Sequence, residues 1–264
     1  MIKLTEDMAD ADIITSRDNQ RLKAVRDVRD GKDRERMFVE GVRLVDEAIR
    51  SRITIEDIFV SESFDRGDLR LEPRIVADKL FPSISATETS QGIIAIAQRP
   101  TSKLDDIDLS RRVVPVVLYL HEINNPSNLG AVIRTAEAAG AASIITSPSS
   151  TDPFAPKALR AAMGSAFRLP IATLVPFDKA VRWARDHQLR IAATDVEGAV
   201  SYTKVDWKHP RLLVFGSEAH GLSENELGQV DEKIVIPMNA KTESLNLAVS
   251  TGVILFEARR QNEA

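Results

Sequence analysis

The chain has 264 residues, of which 43% are hydrophobic and 28% are charged, and its formal net charge is −4. These values are typical of a globular protein, and the length suffices for one large domain or two modest ones. The sequence contains no cysteine, which excludes disulfides, zinc–thiolate centres and thiol nucleophiles and favours a cytoplasmic location. The polar start does not resemble a secretory signal, and no apolar run approaches the roughly 20 residues that cross a bilayer.

A basic segment runs from Arg17 to Arg36, where arginines and lysines alternate with aspartates. The negative net charge argues against non-specific coating of nucleic acid, but recognition depends on where the charge lies as well as on its sum. Taken by itself, the segment favours a solvated helix whose side chains pair with one another.

The first hundred residues mix helical and strand-like patterns, which predicts a small α/β domain over residues 13–100. Val42, Val45, Ala48 and Ile49 recur at helical spacing, and IEDIFVS then predicts a strand. RIVAD and GIIAIAQR are two further strand candidates. The polar, non-periodic stretch that follows Pro100 predicts a linker over residues 101–112.

Residues 113–264 alternate strand and helix patterns more regularly, which predicts a parallel sheet covered by helices on both faces. The buried strands are VVPVVLYL, ASIITS, LRIAATD, RLLVFGS and KIVIP. The intervening helices include SNLGAVIRTAEAAGA, in which a serine cap precedes the apolar face and Gly140 ends it.

Three polar loops follow buried strands in this region, and ligands bind beyond the carboxyl ends of parallel strands. The loops contain Asn128 and Arg134, then Gly216 to Gly221, and finally Met238 to Asn246. Each loop also has a purely structural interpretation: Ser127 and Ser244 can cap helices, Gly216 can form a tight turn, and Arg134 can pair with Glu137.

The motifs of several other kinds of site are absent from the sequence. Neither a GxGxxG dinucleotide fingerprint nor a GxxxxGK[ST] phosphate loop is present, which argues against a nicotinamide-dependent oxidoreductase. The four histidines have no metal-ligand spacing, so no metal site is expected.

Three motifs in this order carry a family resemblance: NNPSNLGAVIRTAEAAGA, LVFGSEAHGLS and IPMNAKTESLNLAVSTGVILFE. Together they resemble the SpoU-type (TrmH-like) RNA 2′-O-ribose methyltransferases of the SPOUT superfamily. FVEGVRLVDEAI and QGIIAIA are similar to the N-terminal RNA-binding domain of such proteins, so the resemblance spans roughly Ile13 to Arg260. One departure is Ala240, where many members have glycine.

The resemblance implies an α/β fold in which a C-terminal parallel-sheet domain with a deep trefoil knot (the SPOUT fold) follows a small α/β domain like those of certain ribosomal proteins. It also implies S-adenosyl-L-methionine as cofactor, a homodimer with active sites at the subunit interface, and structured RNA as substrate. Large-subunit ribosomal RNA is the leading substrate. The alternatives are transfer RNA, or a non-catalytic RNA-binding protein on the same scaffold.

The family's functional positions carry over to matching residues of this sequence. The resemblance assigns catalysis to Asn128, Arg134, Glu218, Ser244 and Asn246. It assigns cofactor binding to Gly216, Ser217, Glu218, Ile236, Met238, Ser244 and Leu245. The resemblance also implies that the basic segment contacts RNA, and the candidate residues are Arg17, Arg21, Lys23, Arg34 and Arg36. In the family proposal Arg134 is a general base, but a guanidinium stays protonated, so anchoring phosphate and stabilising an oxyanion is the physically easier role.

Overall fold

The computed structural model describes residues 13–65, 67, 71–100, 102–109, 114–197, 200–217, 220–239 and 244–263. The chain divides into two compact units, the first formed by residues up to 99 with 154–156 and the second by 100–153 with 157–264. Part of the predicted linker 101–112 lies outside the described residues. Within it, Leu104 and Ile107 are buried in the core of the second unit. The predicted boundaries of the two domains and the linker stay predictions.

In the described part of the first unit, a four-stranded mixed sheet packs with two α-helices. Its elements are α1 (Gln20–Arg29), β1 (Arg36–Glu40), α2 (Val42–Arg50), β2 (Ile55–Ser61), β3 (Arg74–Val76) and β4 (Ile93–Gln98). The strand order is β1-β4-β2-β3, and β4 is antiparallel to both of its neighbours. Leu22, Val25 and Val28 of α1 belong to the same buried cluster as Phe38, Phe59 and Ile94 of the sheet.

The predicted helix and strands of the first unit are present, but the basic segment differs from expectation. Its helix ends at Arg29, and the chain then turns through Gly31, whose φ is +73°. Residues Arg36–Glu40 form β1, which the sequence interpretation did not predict as a strand. The apolar run Met37-Phe38-Val39 is too short to distinguish a strand from a helix by periodicity.

The second unit is a seven-stranded sheet in which every described pairing is parallel, with the order β7-β6-β5-β10-β8-β11-β9. Its strands are β5 (Val114–Leu120), β6 (Ala141–Thr146), β7 (Ile171–Ala172), β8 (Arg190–Thr194), β9 (Val200–Ser201), β10 (Arg211–Phe215) and β11 (Glu232–Val235). Its helices are α3 (Pro126–Ala139), α4 (Pro156–Ala162), α5 (Phe177–Asp186), α6 (Glu224–Leu227) and α7 (Leu247–Glu263). The predicted α/β class with a parallel sheet is confirmed.

The central strands of the second unit are apolar because both of their faces are covered. Val117 and Tyr119 pack with residues of α5, while the alternating residues Val116 and Leu118 are equally buried and point to the opposite face. Helices α3 and α7 contact each other and pack on strands β5 and β6. None of the described helices is long and apolar enough to span a bilayer.

Candidate functional site

A cavity of about 370 Å³ opens where strands of the second sheet end. Thr194, Phe215 and Val235, the last residues of β8, β10 and β11, all line it. It therefore lies at the carboxyl edge of the parallel strands, and its volume falls within the range of small-molecule sites. Among the described residues, no cluster of histidine and acidic side chains could hold a metal ion.

The structure brings together the residues predicted to bind a cofactor. Glu218 lies outside the described residues. The other six line this one cavity: Gly216, Ser217, Ile236, Met238, Ser244 and Leu245. Two loops that are separate in the sequence thus meet at one concave surface, and the individual roles of these residues stay predictions.

A third lining segment follows β8 and was missed by the sequence interpretation. Thr194, Asp195 and Val196 line the cavity, and the Asp195 carboxylate lies 3.6 Å from the Nζ atom of Lys233. The strand LRIAATD was recognised, so the rule that ligands bind beyond strand ends could have identified Thr194 and Asp195. Periodicity does not reveal that β8 lies next to β10 in the sheet.

The loop after β10 needs glycine for a steric reason. Ser217 and Gly221 exchange two backbone N–H to carbonyl hydrogen bonds of 3.0 Å each, which closes a tight turn. A Cβ atom on Gly216 would lie 2.5 Å from the carbonyl carbon of Gly221, closer than real Cβ contacts. Gly221 itself has a φ of +67°, which favours glycine. Both glycines are therefore required by the turn itself, which places Gly216, Ser217 and Gly221 on the wall of the cavity.

Asn246 lies at the start of α7 and makes two side-chain contacts. Its Oδ1 atom accepts a 2.9 Å hydrogen bond from the Ala248 N–H, and its Nδ2 atom donates to Oδ1 of Asn128 at 3.2 Å. Two predicted catalytic residues from different loops are thus joined. The interpretation of Ser244 as the cap of this helix is wrong, because Asn246 is the capping residue. A similar correction applies to α3, where Asn125 rather than Ser127 accepts the capping bond.

Arg134 is exposed on α3, and it forms no ion pair with any described residue. Glu137 instead pairs with Arg168, whose Nε atom lies 2.6 Å from the Glu137 carboxylate. Burial raises the pKa of Glu137, but the hydrogen bonds from Arg168 and Ser165, together with the charge of Arg168, outweigh this effect and leave the pKa below its ordinary value. The alternative in which Arg134 pairs with Glu137 is therefore wrong. Neither Arg134 nor Asn128 is among the described residues that line the cavity.

The five predicted RNA-binding residues all lie in the first unit but differ in their surroundings. Arg17, Arg21, Lys23 and Arg34 are exposed and have no ion-pair partner among the residues that the structure describes. Arg36 is half-buried and pairs with Asp33 at 2.7 Å and with Glu56 at 3.7 Å. The segment taken by itself favoured side chains that pair with one another. Arg36 is paired in this way, and the other four residues are not paired with any described residue.

Comparison with known proteins identifies relatives over nearly the whole chain. Residues 115–256 match the model of the SpoU rRNA methylase family, and residues 19–95 match an MRM3-like substrate-binding domain. A 23S rRNA adenosine 2′-O-methyltransferase of Streptomyces laurentii is 30% identical, over 97% of this chain and 98% of its own. The 23S rRNA guanosine 2′-O-methyltransferase RlmP of Bacillus subtilis is 27% identical, over 93% and 98%.

Solved structures lead to the same family. An rRNA methyltransferase from Sinorhizobium meliloti with bound AdoMet (S-adenosylmethionine) is 30% identical and superposes with a TM-score of 0.82, over 94% of this chain and 97% of its own. The family model covers more than half of the chain, and the resemblance of the three motifs is thereby confirmed. The chain belongs to the SpoU rRNA methylase family.

Proposed function

We propose that this protein transfers a methyl group from S-adenosylmethionine to a ribose 2′-hydroxyl of large-subunit ribosomal RNA. Its full-length relatives from Streptomyces laurentii and Bacillus subtilis carry that activity in their names, and the Sinorhizobium meliloti relative binds AdoMet. The observation that carries the proposal is the convergence of six family cofactor positions on one cavity at the strand ends. Ribosomal RNA as substrate supports a cytoplasmic location.

The cavity suits the cofactor in shape and in chemistry. Val196, Ile234 and Met238 provide apolar walls for an adenine ring, while Ser217 and Asp195 provide polar groups. Gly216 lets the Gly221 backbone pack directly against it, and this close packing shapes the turn that forms one wall of the cavity. Bound S-adenosylmethionine would supply an activated methyl carbon. Glu218 and Ser244 complete the proposed set at this site.

The protein's own polar groups would orient the RNA. Asn128 and Asn246 hold each other by a 3.2 Å hydrogen bond beside the first turn of α7, so a ribose near them meets a fixed amide surface. Arg134 would anchor a phosphate and stabilise the oxygen as it loses its proton, because its guanidinium remains charged and can hold two oxygens at once.

Arg134 requires a second subunit in this proposal. It is exposed on α3 and is not among the described residues that line its own cavity. Helix α7, which packs against α3, exposes Val249 and Phe256 by 52% and 50%, and these two residues lie two turns apart on the same face. Large apolar side chains exposed on one helix face favour association. We therefore expect a homodimer in which each subunit supplies Arg134 to the cavity of the other.

Family membership supports two further features. The first is a trefoil knot in the second domain, in which the segment around β11 and α7 is threaded. The second is the division into an RNA-binding domain (13–100), a linker (101–112) and a methyltransferase domain (113–264). Mass spectrometry of the products of a proteolytic digest would test the boundaries, because cleavage should concentrate at the exposed residues of the linker, such as Lys103 and Asp105, and spare the buried Leu104 and Ile107.

Calorimetry with S-adenosylmethionine, followed by incubation with labelled cofactor and unmodified ribosomal RNA, tests the function. We expect stoichiometric binding and label on a ribose. Cofactor binding without label on either ribosomal or transfer RNA would favour the non-catalytic alternative. Label on transfer RNA alone would replace the proposed substrate.

Subunit complementation tests the shared site. An Arg134→Ala subunit keeps its cavity, and a Gly216→Val subunit keeps its arginine. If the arginine acts on the partner's cavity, mixing the two inactive variants creates one complete site in each heterodimer and restores part of the activity. If Arg134 acts within its own subunit, both sites of the heterodimer stay incomplete and the mixture remains inactive.

A further inference from the structure

His121 is the first residue after β5, and its position is fixed by both its backbone and its ring. Its N–H donates a 2.9 Å hydrogen bond to the carbonyl of Phe215, which extends the β5–β10 pairing to the residue where the cavity loop begins. The ring stacks on Tyr119 at a centroid distance of 6.2 Å and meets the edge of Phe177 at 6.1 Å. With a side chain only 15% exposed, the imidazole has little freedom to rotate.

The other end of the same loop is attached to the imidazole through Glu226. The Nε2 atom of His121 lies 3.2 Å from Oε1 of Glu226, whereas the neighbouring Glu122 carboxylate is 3.9 Å away and beyond hydrogen-bond distance. The second oxygen of Glu226 accepts from the Ser223 N–H at 2.8 Å and from the Ser223 hydroxyl at 2.7 Å. Ser223 and Glu226 form the capping box of α6, so His121 contacts the residue that organises this helix start.

His121 thus contacts Phe215, directly before the segment 216–223, and Glu226, which is hydrogen-bonded to Ser223 at the other end of that segment. Inside that segment, Ser217 and Gly221 are joined by two backbone hydrogen bonds, and the Ser217 hydroxyl accepts from the His220 N–H at 3.0 Å. The apolar side chains of Leu222 and Leu227 pack on the core of the sheet. Apolar packing holds α6 against the protein but has no directional preference, whereas a hydrogen bond to a carboxylate fixes a direction.

We propose that His121 is a positioning residue, which through Glu226 holds Gly216, Ser217 and Gly221 in the arrangement that binds the cofactor. The inference rests on the proposed function, since it takes the cavity to be the S-adenosylmethionine site. A loop held in its binding conformation loses less conformational entropy when the ligand arrives, so the effect falls on affinity rather than on the transfer step.

Two substitutions at His121 separate the hydrogen bond from the packing. His121→Phe keeps an aromatic ring between Tyr119 and Phe177 but removes the donor, while His121→Gln loses the ring and keeps an N–H close to the original Nε2 position. We expect His121→Phe to raise the Kd for S-adenosylmethionine about tenfold, and His121→Gln to stay within about threefold of the parent. The kcat at saturating cofactor should change little in either variant.

Glu226 and Glu224 provide a matched pair on α6. Glu226→Gln keeps the capping box, because a glutamine carbonyl can accept from Ser223, but it turns an amide N–H₂ towards the donor of His121. It should therefore weaken cofactor binding nearly as much as His121→Phe does. Glu224→Gln removes the same charge from the same helix at an exposed position and should bind as the parent does.

The measurement is calorimetry of full-length protein without RNA, with the melting temperature of each variant recorded alongside. A tenfold rise in Kd for His121→Phe, partial rescue in His121→Gln and an unchanged Glu224→Gln would support the proposal. A parental Kd in His121→Phe would overturn it, and so would equal weakening by the phenylalanine and glutamine variants. A parent that does not bind S-adenosylmethionine would instead overturn the cofactor assignment, on which the inference depends.

Discussion

The two units present their polar groups in different ways. In the second unit, polar residues that follow the parallel strands, such as Ser217 and Asn246, line a concave cavity, and Asn246 also donates a hydrogen bond to Asn128 on α3. In the first unit, Arg17, Arg21 and Lys23 lie exposed in and just before α1, with no described ion-pair partner. A cavity excludes water and suits a small molecule, whereas an open cationic surface suits a polyanion. Shape and pairing, more than residue type, distinguish the proposed cofactor site from the proposed RNA-binding surface.

The largest expected effect concerns Arg134. Arg134→Ala should lower RNA methylation by about 10²–10⁴, because it removes the group proposed to anchor phosphate and stabilise the oxyanion. Arg134→Lys should also fall below a hundredth of the parent rate, since lysine keeps the charge but loses the planar fork. Both variants should bind S-adenosylmethionine normally and melt at the parent temperature.

The control for this prediction is Arg190→Ala, which removes an exposed arginine at the opposite, amino end of β8. It should methylate at the parent rate. Near-normal turnover in Arg134→Ala would show that this exposed side chain has no catalytic role, and it would contradict the proposed assignment of Arg134.

The next effect tests the cavity itself. Gly216→Ala places a Cβ atom 2.5 Å from the Gly221 backbone, so the turn must open and the Kd for S-adenosylmethionine should rise between about tenfold and a hundredfold. Gly228→Ala is the matched control, because its Cβ would lie 3.4 Å from the nearest atom and its φ is −68°. Equal binding by both variants in calorimetry would contradict the assignment of the loop to the cofactor.

A smaller effect is expected on the cationic surface of the first unit. Arg21→Ala should weaken RNA binding several-fold and reduce the slope of log affinity against log salt by about one, as the loss of one phosphate contact requires. Arg50→Ala removes an arginine whose charge is already paired with Asp46 at 2.9 Å, and it should change the slope less. Filter binding over a salt series measures both slopes, and indistinguishable slopes would argue against a specific role for the unpaired cations.

The smallest effect is the stability contributed by the Glu137–Arg168 pair. Because the pKa of Glu137 is lower in the folded protein than its ordinary value of 4.5, the pair stabilises the fold above that pH, and the contribution is lost as pH falls through the folded pKa. With Arg168 40% exposed, Glu137→Gln should lower the free energy of unfolding at pH 7 by about 0.5–1 kcal/mol, and by less near pH 3. Urea denaturation at the two pH values measures this difference.

A double-mutant cycle shows which arginine is the ion-pair partner of Glu137. Arg168→Ala should remove most of the cost of Glu137→Gln, whereas Arg134→Ala should leave that cost unchanged. Coupling between Glu137 and Arg134 would restore the ion-pair interpretation that the structure rejects.

Periodicity and strand-end loops were sufficient to predict the parallel sheet and the segments that supply most of the cavity. The charge of α1 is visible in the sequence, but by itself it favoured a self-paired helix, and the RNA contact was predicted only through the family resemblance. Pairs between distant elements were not predicted: Arg168 displaces Arg134 as the partner of Glu137, and Glu226 reaches His121. Such contacts depend on which elements become neighbours in the fold. Local periodicity in the sequence does not specify that arrangement.

The most direct test of the division of labour is a protein that begins at Pro100, which lacks the first unit but keeps Leu104 and Ile107 in the core of the second. Its Kd for S-adenosylmethionine, measured by calorimetry, should equal that of the full chain and so also report that the unit is folded. Its affinity for ribosomal RNA should fall by at least about a hundredfold and lose most of its salt dependence. Undiminished RNA binding by the truncated protein would contradict the account, because the RNA surface would then lie in the second unit.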